Sequence, residues 1–122
     1  MPASQFTFPK SRRLTLSAEF EHVKKNGRAQ RGQLIVLSVV SANDATRFRA
    51  GFITSRAIGR ASVRNRVRRR LREIVRKHQR EIVNGIWMVT IARASAARAS
   101  YEQLEAEWLR LAERASILAT PC

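Results

Sequence analysis

Between residues 62 and 82 the apolar positions Val63, Val67, Leu71, Ile74 and Val75, followed by His78, return every three or four residues. That spacing puts them on one stripe and predicts a helix from Ser62 to Ile82, ended by Asn84-Gly85. Tyr101, Leu104, Trp108, Leu111, Ala115 and Leu118 form a second stripe. Ser100 opens it, Gln103 completes a capping box, and Pro121 marks its end. A shorter helix is predicted over SAEFEHVKKN, with Ser17 as N-cap, Gly27 as stop, and Phe20 and Val23 on its inner face. Elsewhere the rhythm is that of strands. QLIVLSVV (33–40) is a β-branched apolar run. RFRAGFIT (47–54) alternates, with Phe48, Ala50 and Phe52 on one side and Arg47, Arg49 and Gly51 on the other. IWMVTIAR (86–93) is apolar on both faces, as a central strand is. SANDAT supplies the turn between the first two strands.

The order is α-β-β-(β)-α-β-α, the bracketed strand being optional. This is an α+β class chain, a single-domain α-β sandwich with helices packed on a mixed sheet. Neither repeat nor linker divides residues 1–122, and residues 1–13 read as an irregular basic arm interrupted by Pro2 and Pro9. That arm has no apolar run long enough for a signal peptide, and no segment approaches the ~20 apolar residues of a membrane span. Cys122 is the single cysteine, which excludes an internal disulfide. The expected location is cytoplasmic, with no membrane partner.

Charge changes this picture. The chain carries a formal net charge of +15, and 20 of its 24 basic residues are arginine. From Arg56 to Arg80 there are 11 bases and one acid, Glu73, so about two thirds of the excess lies in about one fifth of the length. Like charges repel along a helix, and ordinary solvated helices interleave both signs. Nucleic acid, an anionic membrane and an acidic protein could each supply the neutralising field. A membrane-surface helix wants Trp, Phe and Leu on its apolar side, whereas this stripe is β-branched and core-like.

On the helical wheel Arg64, Arg68 and Arg72 share a face, Asn65, Arg69, Arg72 and Arg76 form the adjacent row, and Arg66 and Arg70 flank the apolar stripe. Guanidinium forks hold phosphate bidentately and stack on bases. Gly59 permits an unusual backbone or a close approach just before the helix, and Asn65 is expected in the first turn, where free amides favour phosphate.

The stretch from RAGFITSR through AIGRASVRNRVRRRLREIVR closely resembles the signature of the protein-subunit family of bacterial ribonuclease P. The hallmark positions are Arg64, Asn65, Arg66, Arg68, Arg69, Arg72 and Glu73. RRLTLSAEFEHVKKNG resembles the family's first helix, IWMVTIAR its last strand, and the helix with Tyr101 and Trp108 is in register. The resemblance implies an accessory subunit of a ribonucleoprotein endoribonuclease, which removes the 5′ leader of precursor tRNA by magnesium-dependent hydrolysis. It implies that catalytic groups lie in the RNA, that magnesium is bound mainly by RNA and substrate, and that the fold contains a left-handed crossover. The partners implied are the catalytic RNA and precursor tRNA, with no small-molecule cofactor. Carried over, Arg64, Asn65, Arg66, Arg68, Arg69 and Arg72 would bind RNA and Arg56 matches a basic position just before the motif; the charge pattern adds Arg60 and Arg76 to the RNA-binding set, and Phe20, with Lys24 one turn on, would line a leader cleft between the first helix and the sheet. The family often has a second aromatic where Lys24 stands, another on the neighbouring strand where LIVLSVV offers aliphatics and Ser38, and a base where Ala57 stands. A cleft here would lean more on charge and less on stacking.

Other chemistry is absent from the pattern. His22, His78 and Cys122 are too scattered for a metal site, His78 is expected to cap the apolar stripe, and no nucleophile or acid–base pair stands out. The alternative function is a structured-RNA-binding or RNA-chaperone module with no associated catalysis. A DNA-reading helix would need a preceding helix and turn, where strand and loop are predicted instead.

Overall fold

The computed structural model describes residues 13–14, 17–42 and 48–119. Most of the arm, residues 43–46 of the expected turn, Arg47 and Pro121 lie outside the described residues. The elements are α1 (Ser17–Asn26), β1 (Arg28–Arg31), β2 (Ile35–Ser41), β3 (Arg49–Thr54), α2 (Ala61–Lys77), β4 (Ile86–Ala92) and α3 (Tyr101–Arg114). The optional strand is therefore real and is β1, whose sequence RAQR has no apolar alternation to reveal it.

The sheet order is β1-β2-β4-β3, with β1/β2 and β2/β4 antiparallel and β3/β4 parallel. β4 is central and apolar on both faces for that reason. Ile86, Met88 and Ala92 join the main core under α2 and α3, while Trp87, Val89 and Ile91 face α1 with Leu14, Phe20 and Val23. Phe48, Ala50 and Phe52 pack on the main core and Ile53 on the other, as the alternation requires. From α2, Val67, Leu71, Ile74 and Val75 are wholly buried, and each such side chain contributes about 1.5–3 kcal/mol by leaving water. Trp108 is wholly buried, and its indole N–H donates to Thr90 Oγ1 at 3.3 Å.

Several boundaries differ from the sequence reading. α1 starts at Ser17 itself, so this serine is its first residue and not its cap. β2 starts at Ile35 because the buried Glu107 carboxylate takes the preceding amides, accepting from Gln33 N at 3.3 Å, Leu34 N at 2.6 Å and Ile35 N at 2.9 Å. α2 stops at Lys77: His78 N is shared between Ile74 O and Val75 O at 3.2 Å, and the chain tightens into a 3₁₀ turn at Gln79–Glu81. Ile82 then bridges to Leu118, which lies beyond α3. α3 keeps its Ser100–Gln103 capping box and ends in a Schellman motif, with Ser116 in the left-handed region (φ 60°) and Ile117 N bonding Ala112 O at 3.1 Å.

Candidate nucleic-acid interface

A 3₁₀ turn at Arg56–Ile58 precedes α2, with Ser55 Oγ accepting from Ala57 N. Gly59 follows at φ 144°, a region that strains any side-chain-bearing residue, while a Cβ there would meet only ordinary contacts. Gly59 is therefore needed for its backbone angle, not for a close approach. Arg60 precedes the helix and caps it with no side-chain bond. Val63 N and Arg64 N close onto Arg60 O at 3.0 Å, which leaves the amides of Ala61 and Ser62 ahead of the ladder. Asn65 is the fifth helical residue, one position later than expected, because the helix begins at Ala61 and not at Ser62.

The buried stripe turns the opposite side of α2 to solvent. Asn65 and Arg69 are exposed there, Arg64 and Arg72 are half-buried, and Arg56 and Arg60 are exposed just before the helix. Arg68 is tied inward: it donates to Asn65 Oδ1 at 3.2 Å and Thr54 Oγ1 at 2.5 Å. Arg66 and Arg70 donate to the carbonyls of Ala97 and Ala99 at 3.1 and 3.0 Å. Burial, then the charges of Arg13 and Arg68, lower the Arg72 pKa, and its buried Nε has no hydrogen-bond partner among the described residues. Cations are thus crowded around the first three turns.

Acids are confined to the far end. Glu73 pairs with Arg76 through Nε at 2.9 Å and through Nη2. That bond lowers the Glu73 pKa and raises that of Arg76. Glu105 of α3 accepts from His78 Nε2 at 2.8 Å and pairs with Lys77 at 3.0 Å. His78 stacks on Trp108 with ring centres 6.4 Å apart, which closes the apolar stripe as expected.

A second feature adjoins the first. A cleft of about 350 Å³ opens between α1 and β3, lined by Ser17, Phe20, Glu21, Lys24, Phe52, Ile53, Thr54 and Arg68. Phe20 and Lys24 do meet in one cleft, and Arg68 joins them from α2. Three contributors were missed in the sequence. Gly51 lies under the Phe20 ring, where a Cβ would come within 2.5 Å of Cε1; a glycine inside a strand pattern is the signal for such an approach. Thr54 anchors Arg68. Phe52 lines the cleft from β3 while packing against the main core. Among the described residues no three of His, Cys, Asp or Glu gather as metal ligands, and no helix is long and apolar enough to cross a membrane.

The family model described as Ribonuclease P matches residues 8–116. The chain belongs to the ribonuclease P protein family. It is 37% identical to the ribonuclease P protein component of Syntrophomonas wolfei, over 90% of this chain and 92% of that one. The RNase P protein of Thermotoga maritima superposes with a TM-score of 0.75 at 26% identity, covering 84% of this chain and 96% of that one. The Staphylococcus aureus RNase P protein shares the fold with a TM-score of 0.83 at 24% identity, over 89% and 99%. As a member of the ribonuclease P family the chain is a component of an endoribonuclease holoenzyme in tRNA 5′ processing, not a module without associated catalysis.

Proposed function

We propose that the chain binds the catalytic RNA of ribonuclease P through the N-terminal half of α2 and the single-stranded 5′ leader of precursor tRNA through the cleft beside α1. Arg56, Arg60, Arg64, Asn65, Arg69 and Arg72 form the first surface, with Arg66, Arg68 and Arg76 bonded at its margins. Phosphate oxygens take guanidinium forks there, and the positive end of the helix adds to the field. In the cleft Phe20 offers a ring on which any base can stack, and Lys24 and Arg68 hold the backbone. The observation that carries this reading is Arg68: it belongs to the basic helix and lines the cleft. One continuous RNA-facing surface therefore runs from α2 to α1, which suits a leader leaving the cleavage point.

This chain contributes position and charge, and the groups that break the phosphodiester bond are assigned to the RNA. Magnesium is assigned to RNA and substrate as well. The α2 surface does not fit a divalent cation, because its outward groups are guanidiniums and its one carboxylate, Glu73, is engaged by Arg76. The test is cleavage of precursor tRNA by the catalytic RNA at low magnesium, with and without the chain. The chain should restore correct 5′ cleavage, and the Arg64→Ala, Arg69→Ala, Arg72→Ala triple variant should bind the RNA about a hundred-fold more weakly near 0.15 M salt. RNA binding with no effect on cleavage would reject the proposal.

A further inference from the structure

Two guanidinium groups of α2 are used on another part of the chain. Arg66 Nη2 donates to Ala97 O at 3.1 Å and Arg70 Nη1 to Ala99 O at 3.0 Å. Both acceptors belong to the 3₁₀ turn Ala94–Arg98 and the residue that follows it. The start of this turn is already anchored without α2, since Ser95 Oγ donates to Gln33 O at 2.7 Å and Ala96 is wholly buried. The residue between the two acceptors is Arg98. It is exposed and has no hydrogen-bond or ion partner among the described residues. The two clamps therefore fix the backbone on both sides of Arg98 and hold it against the flank of α2.

The turn thereby brings a third arginine to the flank of α2 that carries Arg66 and Arg70, and among the described residues none of the three is bonded to a carboxylate. A polyanion lying over this flank would supply the missing counter-charge. We propose that Arg98 is a phosphate contact of the RNA surface and that Arg66 and Arg70 are positioning residues which hold it there. This rests on the reading of α2 as an RNA-binding helix and widens it. A helix alone presents its cations in a narrow row, whereas the turn after β4 adds one from a second element. The ligand is the phosphodiester backbone of folded RNA, met by a fork fixed at its base.

The experiment is the salt dependence of catalytic-RNA binding by the full chain, with Arg66→Ala, Arg98→Ala and the double variant, thermal midpoints confirming that each is folded. Arg98→Ala should weaken binding about five-fold near 0.15 M salt and reduce the log–log salt slope by about 0.7–0.9, the loss of one phosphate contact. Arg66→Ala should weaken binding, yet add nothing in the Arg98→Ala background, because it acts through Arg98. An unchanged slope for Arg98→Ala overturns the inference while leaving the α2 reading intact. Losses that multiply in the double variant, about 25-fold together, would make Arg66 a phosphate contact in its own right and overturn its positioning role. A wild-type chain whose RNA affinity ignored salt would overturn both readings.

Discussion

α2 and α3 lie side by side on one face of the sheet and bury stripes of the same kind, yet their outer faces are opposites. α3 carries four acids and two bases between Tyr101 and Arg114, has a full capping box, and closes with a Schellman motif. α2 carries eight bases and one acid between Ala61 and Lys77, and no side chain caps its start. The acids of α3 serve the fold: Glu107 holds the β1–β2 connection and Glu105 steadies the last turn of α2. Even the acids around α2 obey this division, gathering at its C-terminal end and leaving the first three turns uncompensated. One helix has charges that serve the fold, and the other is stable on its inner face while its outer face awaits an anion.

The largest effect that would sharpen this contrast is expected at Glu107. Glu107→Ala strands the buried Ile35 N–H and the half-buried Leu34 N–H and should lower unfolding free energy by about 3 kcal/mol in chemical denaturation. RNA affinity of the folded protein should not change. A loss of RNA affinity without a loss of stability would break the division between the helices.

A smaller effect is expected at Glu105, whose pKa is held down by the hydrogen bond from His78 and by the Lys77 ammonium. A carboxylate with a lowered folded-state pKa contributes stability above its ordinary value, 4.5, and loses that contribution as pH falls through the folded value. Wild type should therefore melt a few degrees above Glu105→Gln at neutral pH, and the difference should vanish under acid. A gap that persisted unchanged at pH 3 would mean that packing, not charge, joins α3 to the end of α2.

The same contrast explains what could be read in advance. Both stripes were legible because each depends on local periodicity, as was the Ser100–Gln103 box, which involves neighbours only. The basic face was legible because charge needs no partner to be counted. β1 was not, since RAQR becomes a strand only by pairing with Val36–Val39. The end of α2 was not, because Ile82 continues the apolar rhythm yet is claimed by Leu118, far along the chain. In the cleft, Phe20 and Lys24 followed from the helix pattern and the family resemblance. Gly51, Phe52 and Thr54 enter only once β3 lies parallel to β4 and brings its outer edge beneath α1 and α2. Long-range pairing, not propensity, placed them.

The central claim is that cations on α2 serve RNA whereas those on α3 do not. It is tested most directly with Arg69→Gln and Arg114→Gln, both exposed and without a hydrogen-bond or ion partner among the described residues. Catalytic-RNA binding would be titrated with salt for wild type and each variant. The account predicts a slope smaller by about 0.7–0.9 for Arg69→Gln and an unchanged slope for Arg114→Gln. Equal reductions in both variants would show that net charge alone draws the RNA, and would contradict it.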